Sequence, residues 1–189
     1  MIRNATSADS DPIAKILWRS WHHKKTQQIP TPLPKYATAE VLSNEIDRDL
    51  SSWLVCDSCD PQQIGFFGIS SLGTDTIYKR LRFPESAIHI EHFAFLLKGE
   101  ILLCQFQLLA AQFPKQSILL CFPSQLRDAY WAALKAGFRI LGECPLIIGT
   151  FVWFYLDREK KFLEIQNKLR RDRIIVVEPN APANGSRQA

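Results

Sequence analysis

The chain has 189 residues and a formal net charge of +4. Hydrophobic residues make up 47% and charged residues 22%, the composition of a soluble globular domain with a sizeable core rather than of a disordered chain. Asp157 to Arg173 carries a local excess of Lys and Arg over Asp and Glu, and the rest of the chain is near neutral. Total charge therefore argues only weakly for an anionic partner, and nucleic-acid binding is not expected.

The N-terminus, Met1-Ile2-Arg3-Asn4-Ala5-Thr6, has no long apolar run, so no signal peptide is expected. The longest apolar stretch, Cys144 to Leu156, is too short and too β-rich to span a bilayer. A cytoplasmic location and no membrane contact are the expectation. Five cysteines, an odd number, suit free thiols better than a disulfide framework. Cys56 and Cys59 form a Cys-x-x-Cys pair that could be half of a zinc site or a redox pair. No second pair exists, so no metal site is expected.

In chain order, Ile2-Arg3 could form a short first strand. Ser7 to Asp11 offers several N-caps, and Pro12 suits a first helical turn. A helix follows through Ile13, Ile16, Leu17 and Trp18. Pro30 to Pro34 is a proline-broken loop. Thr38 to Leu50 reads as a second helix, with Val41, Leu42, Ile46 and Leu50 on one side. Trp53 to Cys56 and Ile64 to Ile69 look like a hairpin, with Asp57 to Gln63 as its turn. A loop with Lys79, Arg80 and Arg82 leads to a strand, Ile88 to Leu96. Lys98-Gly99-Glu100 is a turn, and Ile101 to Gln112 is apolar at helical spacing. Ser117 to Phe122 is a short apolar run of buried-strand type. Gln125 to Ala136 is a further helix, ended by Gly137. Arg139 to Leu141 and Thr150 to Tyr155 supply two more strands.

His89 and Glu91 lie two apart on the Ile88 strand, so they share a face. A central strand of a covered sheet is apolar on both faces. Polar residues there point to a cleft or to an internal polar network. A buried His–Glu hydrogen bond without catalytic role is the plainer alternative. His92 is expected on the opposite face.

The order β-α-α-β-β-β-α-β-α-β-β, the opening Ile2-Arg3-x-Ala5-Thr6 and the closing Ala136-Gly137-Phe138 resemble the GNAT superfamily, the GCN5-related N-acetyltransferases. The match covers residues 1–156. It implies a mixed twisted α/β sheet with helices on both faces, and an acyl-CoA-dependent N-acyltransferase. Acetyl-CoA or another acyl-CoA is then the implied cofactor. Its pantetheine would lie along Phe93, Ala94 and Phe95. Its pyrophosphate would lie near Lys98, Gly99, Glu100 and Ile101. Such a turn works because amides and the helix dipole converge on phosphate. Here one glycine and one cation remain. Ile101 and Leu103 stand in place of the two other small residues, and Glu100 adds negative charge. Glu91 or His89 would be the base that deprotonates an amine of unknown identity. The family's usual Tyr acid falls on Ala133, which leaves water, Cys121 or another thiol for that role. The alternative is a catalytically degenerate GNAT-like domain that serves as a binding, regulatory or assembly module.

Residues 157–189 read as an extension. Glu159 to Arg171 is a helix with a narrow apolar seam of Phe162, Ile165 and Leu169. A solvated helix packed on its own domain is the plain reading of it; its basic face could also dock nucleic acid or a partner. Ile174 to Val177 is strand-like and needs a partner strand, in its own chain or in a second copy. Homodimerisation is the favoured use. Pro179 to Ala189 is expected to be disordered.

Overall fold

The computed structural model describes residues 1–26, 38–48, 52–56, 65–71, 83, 87–94, 97–146 and 149–172. The expected Pro30–Pro34 loop, the hairpin turn with Cys59, the loop with Lys79 to Arg82, Phe95, the Ile174–Val177 strand and the tail lie outside the described residues.

Seven strands form one mixed sheet. They are β1 (Ile2–Asn4), β2 (Ser52–Cys56), β3 (Gly65–Ser71), β4 (Ile88–Phe93), β5 (Ile118–Pro123), β6 (Arg139–Leu146) and β7 (Gly149–Leu156). Their spatial order is β1-β2-β3-β4-β5-β7-β6. β4 and β5 run parallel, and every other pairing is antiparallel. The parallel pair is joined by a helical crossover, as parallel strands require. The helices are α1 (Ser10–Thr26), α2 (Ala39–Asp47), α3 (Gly99–Gln112), α4 (Arg127–Lys135) and α5 (Phe162–Arg171). No helix among the described residues is long and apolar enough to cross a membrane.

Helices cover both faces of the sheet. α3 and α4 bury Leu102, Phe106, Leu109, Ala129, Ala132 and Ala133 against Ile90, Phe93, Leu120, Phe122 and Phe154. On the other face, Ile13, Leu17 and Leu42 of α1 and α2 pack on Trp53, Val55 and Phe66. The remaining half of that face is covered by α5. Phe162, Ile165 and Leu169 are buried there with Leu119, Leu141 and Tyr155. The narrow seam is thus used in full, and the helix packs on its own chain. Its start is fixed by Asp157, whose carboxylate accepts from the amides of Glu159, Lys161 and Phe162 at 3.2, 3.1 and 3.0 Å. The Arg139 guanidinium lies 3.8 Å over the Phe162 ring.

Several boundaries differ from the sequence reading. α3 opens at Gly99, so Gly99 and Glu100 are helical rather than part of a turn. α5 opens at Phe162 rather than Glu159, and α2 is shorter, Ala39–Asp47. β6 runs on to Leu146 instead of stopping at Leu141. It is an edge strand, so Pro145 removes no ladder bond from the sheet interior. α4 starts at Arg127 rather than Gln125, because Ser124 and Gln125 turn out of β5. It ends as the sequence indicates. Gly137 takes φ of 94°, and the Phe138 amide donates to the Ala133 carbonyl at 3.0 Å. That is the glycine-closed helix end that positive φ permits.

Candidate active site

β4 is the element on which the candidate chemistry converges. Its ladder with β5 is three pairs long, Ile88–Ile118, His89–Leu119 and Ile90–Leu120. Both strands continue for three more residues, so they part beyond that point. At the same place β4 is bulged. Against β3, Gly68 opposes His92 and Ile69 opposes Ile90, which leaves Glu91 as the extra residue. A bulge re-aims the side chains that follow it. Here it reverses the alternation. Ile90 and Phe93 face α3 and α4. His89 and Glu91 lie on the opposite face, with His89 Nδ1 3.9 Å from Glu91 Oε1.

His92 departs from the sequence reading. It was expected on the face away from His89 and Glu91. Its ring instead stacks on Trp53, with centroids 5.7 Å apart and planes at 1°. Trp53 belongs to the α1–α2 face, so His89, Glu91 and His92 share one side of the sheet. Strict alternation placed His92 wrongly because it took no account of the bulge. No short-range sequence signal marks it, since the extra residue is defined by the pairing with β3.

Exposure separates the two base candidates. The His89 side chain is 8% exposed and that of Glu91 45%. Their 3.9 Å spacing is too long for a hydrogen bond but close enough for a charge to be felt. Cys121, one residue past the last ladder pair, lies on the same face. It pairs across the sheet with Trp153, and its neighbours Leu120 and Phe122 face α3 and α4. Burial, with a smaller effect from Cys144, pushes its thiol up to about 12. It therefore stays protonated across the neutral range. Tyr130 sits edge-on to Phe154 at 5.1 Å. Burial, and next Glu143, raise its phenol above the usual range. Ala133, at the position of the usual Tyr acid, is fully buried in the α3–α4 core.

The predicted cofactor segment is brought to one end of this gap. Phe93 is packed against Phe106 and Phe122, both at 5.5 Å. Ala94 is buried with the α1–α2 cluster, and its carbonyl accepts from the Leu97 amide at 3.3 Å. Lys98 caps α3 through its backbone. Its carbonyl accepts from the amides of Ile101 and Leu102, both at 3.0 Å. The Ile101 amide is thus engaged within the turn. Gly99 and Glu100 open the helix, where amides have no intrahelical acceptor. Among the described residues, no group of three or more His, Cys, Asp or Glu could hold a metal ion.

No protein-family model matches this chain. No curated protein matches it in sequence. Solved structures do match it. A ribosomal-protein-S5-alanine acetyltransferase from Vibrio fischeri aligns with a TM-score of 0.58 at 17% identity, over 84% of this chain and 93% of that one. The chain has the GNAT fold. An N-acetyltransferase from Staphylococcus aureus Mu50 aligns with a TM-score of 0.58 at 14% identity, over 84% and 98%. AAC(6')-Ib, in complex with ribostamycin and coenzyme A, aligns with a TM-score of 0.61 at 17% identity, over 87% and 95%. The mixed sheet with helices on both faces is therefore that of the GNAT fold.

Proposed function

We propose that this GNAT-fold protein is an acyl-CoA-dependent N-acyltransferase. One observation carries the reading. The β4–β5 ladder ends at Ile90–Leu120, and three polar side chains gather beside that end on one face. A thioester arm entering the gap would bring its carbonyl near Glu91. AAC(6')-Ib has been crystallised with coenzyme A and with acetyl-CoA, which supports acetyl-CoA as the donor.

Glu91 serves as the general base in this reading. It is the accessible member of the pair, and an amine must reach the base to lose its proton. His89, buried beside it at 3.9 Å, is a positioning residue in this reading that limits where the Glu91 carboxylate can lie. The freed amine attacks the thioester carbonyl, the C–S bond breaks, and the thiolate leaves. Water returns a proton to that thiolate, because Cys121, with its thiol pushed up to about 12, is too weak an acid to do so. Backbone at Phe93 to Phe95 would hold the donor's pantetheine arm, which would reach the start of α3 at Lys98 to Ile101.

The neighbours suggest the class of amine to test: an aminoglycoside, as bound by AAC(6')-Ib, or an alanine of a ribosomal protein, as in the name of the S5-alanine acetyltransferase. A panel of such amines with acetyl-CoA, read by thiol release and product mass, tests the proposal. Acetyl transfer to any of them supports it. Absence of both binding and transfer returns the domain to a binding or assembly role. Homodimerisation through Ile174–Val177 is a separate proposal that rests on the sequence, and light scattering of the full chain decides it.

A further inference from the structure

The N-terminus of α3 is already in contact with α4. A Cβ built on Gly99 would lie 3.3 Å from Trp131 Cε3 and 3.6 Å from Asp128 Oδ1. The first two turns of α4 thus lean on the first residue of α3. Trp131 belongs to none of the core clusters and stays partly exposed over this spot. Asp128 and Glu100 each stand in the first turn of their helix. Among the described residues around the turn, Lys98 and Arg127 are balanced in number by Glu100 and Asp128. The Ile101 amide is engaged with the Lys98 carbonyl, which removes a donor that a phosphate could use.

From this arrangement we infer that the donor is recognised through its neutral pantetheine arm rather than through a diphosphate, and that Asp128 and Trp131 set this preference. The inference rests on the acyl-transfer reading above. Carboxylates held against a helix N-terminus satisfy its dipole themselves. A diphosphate arriving there meets the Trp131 indole beside Gly99 and approaches two like charges. A pantetheine arm carries amides and methyl groups and meets neither obstacle. A thioester on such an arm, without the nucleotide, is therefore the ligand class this end of the site accepts.

Calorimetric titration of the full chain tests this with acetyl-CoA and S-acetylpantetheine as probes, at low and high salt. The two should bind within about threefold of each other, since phosphate contacts contribute little here. Asp128→Asn should tighten acetyl-CoA binding by about three- to tenfold, the scale of one charge removed near the surface. It should leave S-acetylpantetheine unchanged. Trp131→Ala should act in the same direction. Thermal melts confirm that both variants fold, which the exposure of both side chains favours. Acetyl-CoA binding more than about tenfold tighter than S-acetylpantetheine, with neither variant altering it, would overturn the preference but leave acyl transfer standing. If neither thioester binds, the acyl-transfer reading fails and this inference falls with it.

Discussion

His92 lies flat on Trp53 across an intervening strand, with ring centroids 5.7 Å apart and planes at 1°. Gly68 pairs with both residues, Trp53 on one side and His92 on the other. Flanking strands in a sheet are about 9.6 Å apart, twice the strand spacing. The two rings meet because both lean over the bare glycine. This contact fixes one wall of the polar group on β4.

Gly68→Ala should break that contact. The new methyl would lie 3.0 Å from Trp53 Cη2 and 3.2 Å from His92 Cβ. Trp53 is buried and has little room to retreat. A loss of about 1–3 kcal/mol is expected, the usual cost of overpacking. Denaturant melts followed by tryptophan fluorescence measure it. Parental stability would show that the rings yield freely.

Glu91→Gln should lower turnover by about 10²- to 10⁴-fold if Glu91 is the base. The half-exposed position predicts a melting curve close to that of the parent. His89→Gln should lower turnover less and cost about 1–2 kcal/mol, because His89 is buried and a side chain of different shape must repack there. Near-parental turnover of both variants, at matched folded fraction, would make the pair structural.

Acid should weaken the N-terminal corner in a defined window. Arg3 donates to Asp9 at 2.7 and 2.8 Å, and Thr6 donates through its amide and hydroxyl at 2.8 and 2.9 Å. The Arg3 bonds foremost hold the Asp9 carboxyl at about 2, below its usual 3.8. The folded value is depressed, so this stabilisation is complete above the unfolded value and disappears as pH falls from 3.8 towards 2. Arg3 is 40% exposed, so solvent reduces the effect to about 1–2 kcal/mol. Asp9→Asn should lose that amount at neutral pH in urea melts. Its difference from the parent should vanish near the folded value.

Thiol reactivity should separate Cys104 from Cys121. Cys104 is exposed on α3. Cys121 is held protonated, its thiol pushed up to about 12 by burial, and the thiolate is the reactive form. Timed alkylation at mildly alkaline pH, with peptide mapping, should label Cys104 first and Cys121 much more slowly. Equal rates would place Cys121 in an open environment.

Removing α5 should damage the fold. Ile165 and Leu169 are buried against Leu119, Leu141 and Tyr155. Leu169→Ala should cost about 2–5 kcal/mol. Truncation after Leu156 should give an insoluble chain, because it uncovers half of one sheet face. A soluble, cooperatively melting truncation would show that α5 is dispensable.

The sequence by itself determined the elements that local rules control. Periodicity located α3, α4 and α5, and Gly137 marked the end of α4. Alternation of Ile88, His89 and Ile90 identified a central strand with polar residues on it. These signals arise within a turn or two of chain, where side-chain spacing alone decides which face is buried. Tertiary structure decided the rest. The bulge that makes Glu91 the extra residue exists only in the register between β3 and β4, and it alone moves His92 beside His89. The early end of the β4–β5 ladder depends on strands separated by a whole helix. The closeness of Trp131 and Asp128 to Gly99 depends on how α4 packs on α3. The burial of the α5 seam depends on Leu119, Leu141 and Tyr155 being brought together into one surface. Each of these is a relation between distant segments, fixed by packing and hydrogen-bond register rather than by any stretch of neighbouring residues.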